Sequence, residues 1–96
     1  MVKINWTEIS LVDMKDLYGY ISKDSVYYAT ITVNKIYNRV NILTRNPRIG
    51  RVIPEINDGL VRELVEGNYR IIYRILSEQK IDILRIYHSA RLLKDL

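Results

Sequence analysis

The chain has 96 residues, which is enough for one domain with a single hydrophobic core. Hydrophobic residues make up 48% of it, a globular composition that excludes a disordered chain. The absence of cysteine excludes a disulfide scaffold, a thiolate zinc site and a cysteine nucleophile.

The net charge of +4 is distributed unevenly along the chain. No acidic residue occurs between Asp24 and Glu55, and we call this interval the basic block because it contains Lys35, Arg39, Arg45, Arg48 and Arg51. Such a block favours a phosphate backbone or an acidic partner, although the solvated face of a helix would have the same composition. We also expect a cytoplasmic protein without a membrane partner, because the chain lacks a signal-peptide pattern and an apolar stretch of membrane-spanning length.

The first half of the chain predicts a strand followed by a helical hairpin. Residues 2–6 are compatible with a strand, and Ser10 with Asp13 has the spacing of a capping box, with Thr7 as a competing helix cap. Apolar residues recur at helical steps in two runs, Leu11, Met14, Leu17, Tyr18 and Ile21, then Ala29, Val33, Ile36, Val40 and Leu43. The second helix is expected to stop at Asn46-Pro47 and Gly50.

The second half, from Leu60 to Arg91, predicts three antiparallel strands joined by turns at residues 66–68 and 77–80. The predicted fold is therefore α+β, a single domain over residues 1–96 with an N-terminal strand, a helical hairpin and a three-stranded antiparallel meander in one small sheet. In the last strand we expect Ile81 and Ile83 on one face, and Leu84 and Ile86 on the other. The hairpin should cover one face and leave the second partly open, either as a concave site or as a surface completed by a partner.

Arginines are the most conspicuous polar residues of the predicted sheet. Their planar, permanently charged side chains suit phosphates and carboxylates, and they occur as Arg62, Arg70, Arg74, Arg85 and Arg91. The alternative is ordinary ion pairing with Glu63, Glu66 and Asp82. Arg70 lies between two tyrosines in an otherwise apolar strand, so its burial would require a partner, either an acidic protein or an internal carboxylate.

Three residues have the chemistry that RNA cleavage requires. Glu55, Arg70 and His88 could act as base, phosphate clamp and acid, although their spacing does not show that they converge. Tyr87 should lie on the face opposite His88, where it would stack on a base or pack in the core.

No metal or cofactor is predicted. There is one histidine and no clustered carboxylate pattern, and the four glycines lack the spacing of a phosphate-binding loop.

Three segments, NPRIGRVIPE at 46–55, VRELVEGNYRIIYRI at 61–75 and IDILRIYHSAR at 81–91, resemble the RelE/ParE superfamily of bacterial toxin–antitoxin toxins. The resemblance covers nearly the whole chain and implies the same fold. It also implies a cognate acidic antitoxin as partner, and one of two targets. ParE-like members inhibit DNA gyrase without being enzymes, whereas RelE-like and YoeB-like members cut ribosome-bound mRNA.

The resemblance favours the ParE-like gyrase inhibitor over the mRNA endonuclease by a narrow margin. The predicted hairpin is long, Arg62 and Glu63 stand where RelE has lysines, and the tail 92–96 lacks the catalytic tyrosine of RelE. The resemblance also supports the endonuclease, because ribonuclease members use the positions that match Arg70, His88 and Glu55. However, Ser89 replaces the tyrosine that follows the histidine in those members. A third hypothesis is a toxin that has lost activity and only binds antitoxin. The candidate target- or phosphate-binding residues are Arg48, Arg51, Arg62, Arg74, Arg85, Tyr87 and Arg91.

Overall fold

The computed structural model of the chain describes residues 1–89. In order, the elements are β1 (Lys3–Trp6), α1 (Glu8–Ser22), α2 (Val26–Asn41), a short 3-10 helix (Ile42–Thr44), β2 (Arg51–Val52), β3 (Val61–Glu66), β4 (Tyr69–Ser77) and β5 (Lys80–His88). The strands form one sheet in the order β1-β5-β4-β3-β2. Strands β3 to β5 are the antiparallel meander, and β1 pairs with β5 in parallel. The predicted α+β fold is confirmed, with β2 as an additional short strand.

Helix α1 begins earlier than the capping-box prediction placed it. Thr7 is the N-cap, because its hydroxyl accepts a hydrogen bond from the Ser10 amide at 3.2 Å. Ser10 is fully buried inside the helix, and its hydroxyl donates to the Thr7 carbonyl oxygen. The capping box was therefore wrong, and the competing cap at Thr7 is confirmed; Asp13 has a different partner, described below.

Helix α2 packs on the sheet as its apolar pattern predicts. Ala29, Ile36 and Val40 are buried, as is Leu43 in the 3-10 helix that follows, and Val33 packs against the same core. Ser25 caps the helix by accepting a hydrogen bond from the Tyr28 amide. The helical hairpin thus covers one face of the sheet, which we call the helix face.

The second face of the sheet is covered by the chain's own loop between β2 and β3. Ile53 and Ile56 of this loop pack on Val61, Ile72 and Tyr87 in a small separate core. We call this side the loop face. The sequence predicted a more open second face, because it gave no sign that the loop would fold back over the strands.

A β-bulge in β5 overturns the predicted faces of that strand. Ile72 pairs with Arg85 whereas Tyr73 pairs with Ile83, so Leu84 is an additional residue on β5. As a result Ile81, Ile83 and Ile86 all join the core on the helix face, while Leu84 packs on the loop face. Strict alternation had assigned Ile86 to the wrong side.

Tyr73 attaches the loop before β2 to the sheet. This fully buried tyrosine donates a hydrogen bond to the Pro47 carbonyl oxygen at 2.7 Å, and its hydroxyl accepts one from the Gly50 amide at 3.0 Å. A Cβ atom at Gly50 would lie 2.6 Å from the Tyr73 hydroxyl oxygen and 2.7 Å from the Glu63 carbonyl oxygen. Only glycine fits this close approach.

Among residues 1–89, no helix combines the length and the apolar character needed to cross a membrane.

Candidate functional site

The loop face is organised around one buried carboxylate. The side chain of Glu63 is 1% exposed and lies between two arginines, accepting hydrogen bonds from Arg51 Nε and from Arg70 Nε, the latter at 2.6 Å. Strand pairing explains the arrangement, since Arg51 of β2 stands opposite Glu63 of β3. The alternative prediction of ordinary ion pairing is therefore confirmed for Glu63, which is an internal partner for Arg70.

The two arginines also control the protonation of Glu63. Burial alone would raise the pKa of this carboxyl, but the hydrogen bonds and positive charges of Arg70 and Arg51 outweigh it and leave the pKa below its ordinary value. Glu63 is therefore a carboxylate at neutral pH, and the guanidinium of Arg70 is already neutralised by it.

The three candidate catalytic residues do not lie on one face of the sheet. Glu55 is in the loop, with its Oε2 4.0 Å from Arg70 Nη2, so these two residues are neighbours on the loop face. His88 pairs across the strands with Tyr69, its ring 5.6 Å from the Tyr69 ring in an edge-to-face contact. Because Tyr69 packs against the core of the helix face, His88 lies on the side of the sheet opposite Arg70.

The other candidate arginines contact groups of the protein itself. Arg62 donates to the carbonyl oxygens of Gly59, Arg48 and Gly50. Arg74 lies 3.6 Å from an oxygen of Asp58. Arg48 itself is exposed in the loop that precedes β2. Arg62 and Arg74 thus attach the loops on either side of β2 to the sheet, whereas the Arg48 side chain is exposed.

Asp13 binds Arg85 through both carboxylate oxygens, at 2.8 and 3.1 Å. It also accepts a hydrogen bond from the Ile86 amide at 2.9 Å. The hydrogen bond with Asp13, outweighing the opposing effect of burial, raises the pKa of the Arg85 guanidinium above its ordinary value. Arg85 also stacks over the Tyr87 ring, 4.7 Å from its centroid. This cluster ties α1 to β5 and was not foreseen from the sequence.

Two further candidates complete the predicted set. Tyr87 is only 4% exposed and belongs to the core of the loop face, which agrees with the alternative that it packs rather than stacks on a base. Arg91 lies outside the described residues. Within residues 1–89, no group of three or more His, Cys, Asp or Glu side chains is arranged to hold a metal ion.

A cleft of about 510 Å³ lies on the helix face, between α1 and the adjoining ends of β4 and β5. Its lining includes Asp13, Asp16, Leu17, Tyr20, Tyr69 and His88. Sequence reasoning missed it as a site, although Asp13, Asp16 and Tyr20 are spaced to lie on one side of a helix, which was the available signal. Their nearness to Tyr69 and His88 depends on how α1 crosses the sheet, which spacing does not reveal.

Comparison with known proteins gives a consistent family. The family model described as "ParE toxin of type II toxin-antitoxin system, parDE" matches residues 4–93. The curated protein Toxin ParE1 of Mycobacterium tuberculosis, from strains CDC 1551 and H37Rv, is 34% identical over 57 residues. That alignment covers 59% of this chain and 57% of the relative, so it spans little more than half of the relative's length.

Solved structures show the same fold. A chain from the chromosomal ParDE toxin–antitoxin system of P. aeruginosa has a TM-score of 0.74 at 24% identity, covering 92% of this chain and 96% of its own. A chain from the toxin–antitoxin complex RelBE2 of Mycobacterium tuberculosis has a TM-score of 0.58 at 24% identity, covering 91% and 96%.

The long hairpin, the meander and the parallel first strand together define a small α+β toxin fold of the RelE/ParE superfamily. On the match to 90 of its 96 residues, 4–93, the chain belongs to the ParE toxin family of type II toxin–antitoxin systems.

Proposed function

We propose that this protein is the toxin of a type II toxin–antitoxin pair and stops bacterial growth by inhibiting DNA gyrase. The observation that carries the choice of target is the position of His88 on the helix face while Arg70 and Glu55 are on the loop face. An acid and a phosphate clamp must both reach the same phosphate, each within about 3 Å of its atoms. Side chains on opposite faces of a sheet do not meet that requirement.

The hydrogen bonding of Arg70 also supports gyrase, rather than ribosome-bound mRNA, as the target. Its side chain is 14% exposed and hydrogen-bonded to the Glu63 carboxylate, so a phosphate would have to displace an internal partner. In ribonuclease chemistry this arginine would instead be available to neutralise the charge that develops on the phosphate. Here its main partner is Glu63 on the neighbouring strand, with Glu55 of the loop 4.0 Å away.

The proposed neutralising partner is a cognate antitoxin of acidic character, acting with the toxin in the cytoplasm. The basic block supports this choice, since Lys35, Arg45 and Arg48 are exposed at its surface. Both solved relatives come from toxin–antitoxin systems. Complementary charge would accelerate association and favour the correct partner.

The test begins in cells with tightly controlled expression of the toxin. Thymidine and methionine incorporation are followed during the first minutes after induction. If gyrase is the target, thymidine incorporation falls before methionine incorporation, because DNA supercoiling fails before translation does.

A purified system then separates the two targets with a single variant. Glu55→Gln removes the carboxylate that a ribonuclease would use as base, and Glu55 is exposed, so the fold should be retained. We expect the variant to inhibit plasmid supercoiling by gyrase to within about threefold of the original protein. A general base contributes about 100-fold or more to rate, so an mRNA endonuclease would lose at least that much activity.

Asp24→Asn, in the turn between the helices, is the matched control for removing one exposed carboxylate. If methionine incorporation falls first and Glu55→Gln alone abolishes cleavage of ribosome-bound mRNA, the endonuclease alternative is correct and the proposal fails. If the protein affects neither process and stops no growth, the third hypothesis of an inactive antitoxin-binding protein is correct.

A further inference from the structure

The cleft on the helix face has aromatic walls. The rings of Tyr69 and His88 meet edge to face with centroids 5.6 Å apart, and Tyr20 projects from the last turns of α1 with 74% of its surface exposed. Burial raises the pKa of the Tyr69 phenol, and the nearby Tyr20 phenol adds to this effect. Tyrosine rings present a negative face that attracts cations. The walls are therefore suited to a positively charged group.

The charged residues of the cleft also favour a positively charged ligand. Asp13 is already paired with Arg85, whereas Asp16 is exposed and forms no ion pair with any of residues 1–89. One carboxylate of the lining is thus available to a ligand in a protein that is otherwise basic. Asp16 and Tyr20 are one helical turn apart, so a carboxylate and a ring border the same opening.

We propose that this cleft binds the side chain of an arginine that a protein partner presents to it. A guanidinium is planar, so it stacks on a tyrosine ring while its N–H groups pair with a carboxylate, which a compact ammonium does less well. The cleft volume of about 510 Å³ accommodates a side chain of this length with adjacent backbone. The site is distinct from the arginines of the loop face and does not depend on gyrase being the target.

The surroundings of the cleft favour a protein segment over a free cation. Ile9, Val12, Asp16 and Tyr20 follow one another at steps of three and four residues, so they form one stripe along α1. Ile9 and Val12 are 56% and 55% exposed. A peptide that inserts an arginine beside Asp16 would cover these apolar side chains with its flanking residues, whereas a polyamine would leave them in water.

The test uses the full chain, labelled with nitrogen-15, and two synthetic peptides. One peptide has a central arginine flanked by leucines. The other replaces the arginine by citrulline, which has the same shape without the charge. We expect the arginine peptide to bind about tenfold more tightly, the effect of one cation–π contact with one ion pair. Amide shifts should be confined to α1 and to the ends of β4 and β5.

Matched variants locate the site. Asp16→Asn and Tyr20→Leu should each weaken the arginine peptide about fivefold or more and leave the citrulline peptide unchanged. The controls Asp24→Asn and Tyr28→Leu make the same chemical changes at exposed positions outside the lining, and should change neither affinity. All four positions are exposed, and the amide spectrum of each variant verifies that it is folded.

Three results would overturn the proposal. Equal affinity for the arginine and citrulline peptides would show that charge is not recognised. Unchanged binding in Asp16→Asn would place the ligand elsewhere. Binding of spermidine as tight as that of the arginine peptide, with identical amide shifts, would indicate a site for free cations in place of a protein partner.

Discussion

Glu63 is the residue on which the arrangement of the loop face depends. Its side chain is 1% exposed, and its charge is compensated by two arginines, one of which is itself largely buried. Such a carboxylate contributes little stability relative to a well-packed apolar residue, but removing its charge leaves Arg70 poorly compensated. The loop face is therefore sensitive to this one position.

We predict that Glu63→Gln lowers the free energy of unfolding by about 3 kcal/mol, because it breaks a buried ion pair while leaving a cation behind. The measurement is urea unfolding followed by circular dichroism. Glu78→Gln, an exposed glutamate in the turn between β4 and β5, is the matched control and should change stability by less than about 0.5 kcal/mol. Equal effects of the two substitutions would contradict the prediction.

The same pair of proteins should differ in their pH dependence. The folded-state pKa of Glu63 is lowered, so its contribution to stability is fully present above the unfolded pKa of about 4.3 and is lost as the pH falls through the lower folded value. The original protein should lose stability in acid more steeply than Glu63→Gln. Parallel acid profiles would show that other carboxylates cause the loss.

At the residue scale, the sequence predicted an ion pair correctly where the two partners lie on neighbouring strands. The need of Arg70 for an internal carboxylate was expected, and Glu63 was among the alternatives, because both residues are on neighbouring strands of one meander. The partner of Arg85 was not foreseen, since Asp13 is 72 residues away and belongs to a helix. Whether His88 and Arg70 lie on the same face of the sheet depends on the pairing register of β4 and β5. Alternation within one strand supplies only part of that information.

At the scale of elements, Asp13 joins α1 to the part of β5 that β1 does not reach. Strand β1 pairs with residues 80–83 of β5, and the Ile86 amide beyond them is satisfied by the Asp13 carboxylate. The adjacent Arg85 binds the same carboxylate. A helix side chain thus replaces a strand at this edge, and also sets the position of α1 that forms the cleft.

Two substitutions should distinguish the contribution of the Asp13 charge from that of its hydrogen bond with the Ile86 amide. Asp13→Asn keeps a carbonyl oxygen for the Ile86 amide but loses the charge, and should cost about 2 kcal/mol of stability. Asp13→Ala loses both and should cost about 1 kcal/mol more. Thermal and urea unfolding provide the measurement. Asp16→Asn, one turn further along α1 and exposed, should have little effect on stability; a comparable loss there would mean that helix charge, not the junction, is responsible.

The elements themselves were largely predictable, and their arrangement was not. Both helices and the meander follow from periodicity in the chain, because burial on one side imposes it. Strand β2 has only two residues, too few to leave a pattern. The bulge at Leu84 is invisible to a rule of strict alternation, and it moved Ile86 to the other face.

At the scale of the whole molecule, β3, β4 and β5 are central strands with a paired neighbour on each side, whereas β1 and β2 form the edges. β4 and β5 carry many of the buried apolar side chains, and Ile71, Ile72, Ile81 and Ile83 are fully buried. Their amides should open only when the whole molecule unfolds, while edge amides open locally.

We therefore predict that β4 and β5 amides exchange with deuterium at least about 100-fold more slowly than those of β1 and β2, because local opening of an edge requires less free energy than global unfolding. Hydrogen exchange followed by NMR measures this directly. Low concentrations of urea should accelerate the central amides and leave the edge amides nearly unchanged. If β1 amides exchanged as slowly as those of β4, the first strand would belong to the most stable unit.

The parallel pairing of β1 with β5 has a consequence for synthesis. The partners are 77 residues apart, as in Lys3 and Lys80, so the first strand leaves the ribosome long before the strand it pairs with exists. At translation rates of about 5–20 residues per second, that delay is about 4–15 s. During this interval the nascent chain cannot form the complete sheet on which the hairpin packs. The complete sheet therefore forms only after β5 (Lys80–His88) has been synthesised.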